Sequence, residues 1–103
     1  MIIVKNNDLN LGTIQFGRPY FFKYEIQNAF LEVLYIDQLL PGCHACTEAT
    51  IDRQVLAPNE KAIIKIMFTP GDIGEQKKKI TIINRTLGKR RPNVYLSFKA
   101  TVQ

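Results

Sequence analysis

The chain has 103 residues, of which 46% are hydrophobic and 22% are charged, the composition of one ordinary globular domain. A chain of this length buries about two-thirds of the surface that its unfolded form exposes, so its core can form without a metal or a set of disulfides. Extended disorder is excluded, and every apolar run is shorter than the roughly 20 residues that cross a bilayer. We expect a single domain over residues 1–103 with no membrane partner.

The chain is basic: it has 14 Lys and Arg residues and 9 Asp and Glu residues, which give a net charge of +5. This excess favours anionic partners. The segment Met1 to Asp8 has only four apolar residues before its first charge, too few for the apolar part of a secretory signal. We therefore expect a cytoplasmic or virion location, or a periplasmic one if a leader has been removed.

Apolar residues alternate with polar ones through most of the chain, and this period of two predicts half-buried strands. In chain order the runs cover residues 9–14, 20–27, 31–39, 51–56, 63–68, 79–82 and 94–102. Turn-forming Gly, Pro and Asn residues lie between them, and no window sustains the apolar spacing of a helix. The pattern predicts an all-β fold, a single seven-stranded antiparallel immunoglobulin-like β-sandwich.

The alternation also assigns a face to each side chain. Five residues are expected in the core: Phe22, Ile66, Ile80, Leu96 and Phe98. Phe21 lies on the opposite face beside Lys23, where an exposed aromatic ring suits a partner surface.

Several turn and strand residues follow one another in a familiar order. They are Asn28, Leu34, Ile36, Cys46-Thr47, Pro58-Asn59-Glu60, Phe68-Thr69-Pro70, Gly74, residues 78–82, Asn84 and Leu96. Over residues 12–102 this order resembles a bacterial family of unknown function with a Cys-Gly-Cys-Thr motif, related to the major-sperm-protein and Hydin-type sandwich domains. The resemblance implies an immunoglobulin-like fold and a binding role, and it supplies no catalytic residue.

The chain departs from that family pattern at three points. The segment Cys43-His44-Ala45-Cys46 replaces Cys-Gly-Cys and is one residue longer. Asn59 stands where the family has Gly, and Asn tolerates the positive φ of such a turn. The export signal usual in the family is lacking, which agrees with a viral or cytoplasmic member as well as with a periplasmic one.

Cys43, His44 and Cys46 are the one cluster with the chemistry of a site. A closed zinc site takes four ligands, and the chain has no further Cys or His, so Glu48 or a second subunit would have to complete it. A redox pair usually lies at a helix start in a βαβ unit, which this pattern lacks. We expect both cysteines in the loop after the third strand, free or locally bridged, with no cofactor. A thiol or metal-binding module is the alternative.

Six of the basic residues form two runs, Lys77-Lys78-Lys79 and Lys89-Arg90-Arg91, on either side of a predicted strand. As anion or partner contacts they could neutralise phosphates, although only Tyr95 is placed for base stacking. Solvated charge that keeps the strand from pairing with another chain is the interpretation that the sequence favours. Nucleic-acid or anion binding through the 77–91 hairpin is therefore a third hypothesis.

Enzyme signatures are absent, since the chain has no nucleophile, base and orienting group in one pattern. We predict a non-catalytic structural or protein-interaction module without a small-molecule substrate. It would bind a protein partner or copies of itself through open strands, as a repeated component of a larger assembly such as a virus particle or appendage.

Overall fold

A computed structural model describes all residues from Met1 to Gln103 and contains ten β-strands and no α-helix. The strands are β1 (Ile2–Lys5), β2 (Asp8–Ile14), β3 (Tyr20–Asn28), β4 (Leu34–Pro41), β5 (Thr47–Ile51), β6 (Val55–Leu56), β7 (Lys61–Phe68), β8 (Gly74–Thr86), β9 (Lys89–Arg90) and β10 (Val94–Val102). They form two sheets, one in the order β1-β3-β7-β5 and one in the order β2-β10-β8-β4-β6 with β9 paired to β8. The all-β, two-sheet prediction is confirmed. The chain contains no helix that is long and apolar enough to span a bilayer.

The predicted count of seven strands is wrong, because the chain forms ten. The predicted run 51–56 is divided between β5 and β6, since residues 52–54 carry the chain from the first sheet to the second. The short strands β1 and β9 add the other two. Strands of two to four residues show too little alternation to be recognised by period alone.

The sandwich is also not wholly antiparallel. β2 pairs parallel to β10, with Leu9 opposite Phe98, while every other pair of strands is antiparallel. Parallel neighbours need a long connection, and here almost the whole domain lies between them in the chain. The first sheet therefore ends in β1 and the second in β2, although these two strands are consecutive.

β8 is the longest strand, and its two neighbours are staggered along it. It pairs with β10 over residues 74–82 and with β4 over residues 80–86. Only residues 80–82 of β8 therefore lie between two long strands. The stagger lengthens the molecule, whose extents are 45 × 20 × 19 Å.

The core contains 16 buried hydrophobic residues between the sheets. Four of the five predicted core residues, Ile66, Ile80, Leu96 and Phe98, are buried. The expectation for Phe22 is wrong in degree, because this residue is half-buried at the outer part of β3, where burial becomes complete only from Tyr24 onward. Phe21 is 74% exposed on the opposite face, as predicted.

Two buried polar side chains join separate segments. The Tyr24 hydroxyl donates to the Ser97 carbonyl at 2.6 Å and so links the two sheets, and burial, followed by the charge of Asp8, raises the pKa of this phenol. The Asn28 amide donates to the carbonyls of Glu32 and Leu56, both at 2.9 Å. The Tyr24 hydroxyl and the Asn28 amide group each donate to a protein carbonyl, so neither donor is buried without a hydrogen-bond partner.

The positive φ expected for Asn59 is confirmed, at 70°. Its N–H donates to the Asn28 carbonyl at 2.7 Å, which closes the turn before β7 against the end of β3. Asn adopts this left-handed conformation at little cost.

Truncation of Phe98 to Ala should lower the free energy of unfolding by about 3–5 kcal/mol. The ring is 1% exposed and packs edge-on against Phe22 and Phe68, with centroids 4.9 and 5.0 Å away. Denaturant unfolding measures the loss. Phe21→Ala is the matched control and should cost less than about 0.5 kcal/mol, since its ring is exposed; equal losses would show that the faces are assigned wrongly.

Candidate functional site

One side of the sandwich is open between β4 and β5, which lie in different sheets and do not pair with each other. A groove of about 520 Å³ lies between them. Aliphatic side chains that include Ile36, Leu39, Ala49 and Ile51 line it, and all four pack in or against the core. The groove therefore has an aliphatic floor that continues the core, and polar side chains make up the other half of its lining.

The Ile36 N–H donates to the Gln54 carbonyl at one end of the groove, and beyond that bond no strand pairs with the facing edges of β4 and β5. The N–H of Gly42 donates to the carbonyl of Lys79 in β8. Because the backbone groups of successive residues in a strand point to opposite sides, the N–H and C=O of Leu39 point away from β8 and face the groove. On the other side, the backbone N–H of Asp52 donates to the carbonyl of Ile63 in β7. By the same alternation the N–H and C=O of Ala49 in β5 point away from β7 and face the groove. Two open strand edges thus face one cleft.

Both ends of the groove are closed by the chain itself. Residues 42–46 connect β4 to β5 at one end, and residues 52–54 cross to β6 at the other. A strand of five residues, the length of β5, spans about 16 Å. The groove is therefore about as long as β5.

The charged residues that line the groove are Asp37 and Asp52. Arg85 Nε donates to Asp37 Oδ1 at 3.0 Å, and the N–H of Ile63 donates to Asp52 Oδ1 at 2.8 Å. Both carboxylates are therefore engaged as acceptors. No group of three or more His, Cys, Asp and Glu residues gathers anywhere in the molecule.

The two cysteines form a Cys43–Cys46 disulfide in the loop between β4 and β5, with Cα atoms 5.5 Å apart. Of the two states that the sequence leaves open for this loop, free or locally bridged, the structure has the bridged one. His44 between them is exposed. Neither sulfur is a thiolate, the form that binds zinc, in this state.

The two basic runs lie apart. Lys77, Lys78 and Lys79 belong to the first half of β8, whereas Lys89 and Arg90 form β9 beyond its last residue. The extended strand between Lys79 and Thr86 measures about 23 Å. The structure therefore brings each run together but does not join the two into one patch.

The first run is split further by the alternation of the strand. Lys77 and Lys79 are exposed, Lys78 is half-buried on the inner face, and Lys77 stands directly opposite Lys99 of β10. Lys79 Nζ lies 4.6 Å from the centre of the Tyr95 ring. The exposed cationic face of this half of the sheet consists of Lys77, Lys79 and Lys99.

The second run follows a strained hairpin turn. Leu87 and Gly88 have φ of 48° and 72°, so both central residues are left-handed, as a two-residue turn of this kind requires. The Leu87 side chain is 75% exposed. Arg91 donates to Thr86 Oγ1 and lies 5.1 Å from the Phe30 ring, so this guanidinium is used within the domain. Lys89 and Arg90 are exposed.

Sequence reasoning missed the groove. Its edges arise from pairing between strands distant in the chain, and alternation within one strand does not show which edge stays open. One signal was available: Pro41 lies at the end of β4, and Pro is confined to positions where a strand donates no ladder bond.

Residues 2–102 match the DUF1573 family, which is described as proteins of unknown function. The chain belongs to this family. Among curated proteins none matches it. The family's expected Cys-Gly-Cys-Thr motif is not present in this DUF1573 chain, where the two cysteines are three residues apart and bridged.

Solved structures share the fold of this DUF1573 domain at low sequence identity. The VesB protease of Vibrio cholerae is 11% identical with a TM-score of 0.81, and the match covers 97% of this chain but 31% of that protein. A PapD-like domain of human CEP192 is 11% identical, with a TM-score of 0.76 and coverage of 99% and 84%. The Caenorhabditis elegans MSP family member WR4 is 14% identical, with a TM-score of 0.70 and coverage of 100% and 98%. These likenesses establish an MSP- and PapD-like sandwich.

Replacing Lys77 with Glu should raise the free energy of unfolding by about 0.2–1 kcal/mol, because the change turns a like-charged cross-strand pair with Lys99 into an opposite-charged one. Denaturant unfolding at low salt measures the gain, which should shrink at about 1 M salt through screening. Lys79→Glu is the control: residue 79 faces Ser97, and its contact with Tyr95 is lost. A larger gain from Lys79→Glu would contradict the pairing.

Leu87→Asn should stabilise the protein by about 1 kcal/mol, since Asn adopts the left-handed conformation with less strain than Leu. No packing is lost at so exposed a side chain. Leu87→Ala keeps the strain and serves as the control, with no gain expected in thermal or denaturant unfolding. Destabilisation by Asn would show that the Leu87 side chain supports the fold.

Proposed function

We propose that this domain is a non-catalytic protein-interaction module that binds an extended segment of a protein partner, or of another copy of itself, in the groove between β4 and β5. The observation that carries the proposal is the pair of open strand edges that face one groove with an aliphatic floor. An extended peptide that adds to a strand edge gains main-chain hydrogen bonds, and pockets beside the edge select its side chains.

Energetic reasoning supports a binding role for these edges. Protein folds usually blunt an open edge with charge, proline or a covering loop, because an open edge pairs with other chains. Here Pro41 blunts only the end of β4, while Leu39 and Ala49 leave unpaired backbone groups beside aliphatic side chains. An occupant would satisfy these groups and cover the aliphatic surface at the same time.

Charge supports a basic or neutral occupant. The two charged residues that line the groove are acidic; Arg85 pairs with Asp37, while Asp52 has no cationic partner, and the chain as a whole has a net charge of +5. A second copy of this basic chain is therefore a suitable partner by sign. Repeated association of this kind fits a component of a larger assembly, such as a virus particle or appendage.

The proposal predicts that Ala49→Pro weakens association at least tenfold. The substitution removes an N–H that faces the groove and leaves the bonds from β5 to β7 in place. Sedimentation across a concentration series measures self-association, and cross-linking followed by capture from the native source measures binding to other proteins.

Val4→Pro is the matched control on the other open edge of the same sheet, where the Val4 N–H faces away from β3. It should leave association unchanged. Phe21→Lys tests the outer sheet face in the same assays and should also have no effect. Equal losses from Ala49→Pro and Val4→Pro would contradict the groove, and a wild-type protein that stays monomeric and captures no partner would contradict the interaction role altogether.

A further inference from the structure

The Cys43–Cys46 bridge lies in a turn that is held without it. The bridge joins residues three apart, and so small a loop removes little conformational entropy from the unfolded chain. The N–H of Thr47 donates to the Cys43 carbonyl at 2.9 Å and closes the same turn. A backbone hydrogen bond from the Gly42 N–H to the Lys79 carbonyl fixes the chain before Cys43, and one from the Thr69 N–H to the Cys46 carbonyl fixes Cys46. The two cysteines therefore stay close together when the bridge is open.

The two sulfurs have different surroundings. Both cysteines are half-buried, but only Cys46 packs against the hydrophobic core, and the intervening His44 and Ala45 are exposed. An external thiol therefore reaches Cys43 Sγ more readily than Cys46 Sγ. Access to the attacked sulfur is one of the factors that set the rate of thiol–disulfide exchange.

The Cys46 sulfur has hydrogen-bonding groups beside it that can receive it when it is released. Its Sγ lies 3.6 Å from the hydroxyl of the buried Thr47, which can donate to a Cys46 thiolate and stabilise it. The Cys43 carbonyl lies 3.7 Å from the same sulfur and can accept from a Cys46 thiol. Both protonation states of the released sulfur thus find a partner already in place.

We propose that Cys43 and Cys46 form a site of thiol–disulfide exchange whose substrate is an exposed dithiol of a partner molecule. The partner's thiolate attacks Cys43 Sγ, the Cys43–Cys46 bond breaks, and Cys46 leaves as a thiolate that takes a proton from solvent. The partner's second thiolate then attacks the partner sulfur that is bonded to Cys43, and Cys43 leaves as a thiolate that takes a proton from solvent. The partner dithiol is oxidised to a disulfide, and the pair in this chain is reduced to two thiols.

The exchange does not depend on the groove, so its test stands apart from that of the interaction role. Oxidised protein is incubated with reduced glutathione, or with a peptide that carries two cysteines, and is then alkylated. Mass spectrometry counts the alkylated cysteines of the protein and of the peptide. We expect both cysteines to be labelled, the peptide to become oxidised in equal amount, and the β-sheet circular dichroism to stay unchanged.

Single-cysteine variants assign the two sulfurs. With oxidised glutathione, Cys46→Ser should form an adduct on Cys43 at least ten times faster than Cys43→Ser forms one on Cys46. Thr47→Val should slow reduction of the intact pair at least threefold, and Thr47→Ser, which keeps the hydroxyl, should restore it. Resistance to millimolar glutathione, loss of the sheet signal on reduction, or equal rates at the two cysteines would each overturn the proposal.

Discussion

The pairing of β8 with its two staggered neighbours is the constraint on which the rest of the molecule depends. β10 covers the first part of the strand and β4 the second, so the second sheet is built as two overlapping halves. Backbone hydrogen bonds satisfy β8 on one side along most of its length, and the overlap at residues 80–82 holds the halves together. A central strand buried on its inner face, with Ile80 and Ile82 fully covered, tolerates this arrangement because side-chain burial supplies most of the stabilisation.

The stagger decides where the groove and the basic runs lie. β4 leaves the sheet at Gly42, opposite Lys79, and the chain turns there through the disulfide loop into the first sheet. This departure opens the groove between β4 and β5 and closes one of its ends with the two cysteines. The length of β8 also sets the separation of the basic runs. Residues 77–79 precede the overlap, and residues 89–91 follow the turn after the end of β8.

The sequence predicts the faces of the strands well and their partners poorly. Alternation identifies Ile66, Leu96 and Phe98 as core because burial of a strand repeats every second residue. It cannot show that β2 runs parallel to β10, or that β4 and β5 leave facing edges open, because these depend on contacts far apart in the chain. The residue types and spacing of the two cysteines predict a free or locally bridged pair, whereas the choice between these states and the contact with Thr47 depend on the fold of the loop.

The disulfide loop and the groove are neighbours, and their chemistries differ in what they require of a partner. Binding in the groove needs an extended backbone with free N–H and C=O groups, whereas exchange at Cys43 needs an exposed thiolate and no fixed backbone shape. A partner segment in the groove that carried two cysteines near the Pro41 end would meet both requirements, because residues 42–46 form that end. Without such cysteines a segment would occupy the cleft and leave the disulfide intact. The proposed binding and the proposed exchange therefore place different demands on a partner, and substitution at Ala49 is expected to affect only the first and substitution at Cys43 only the second.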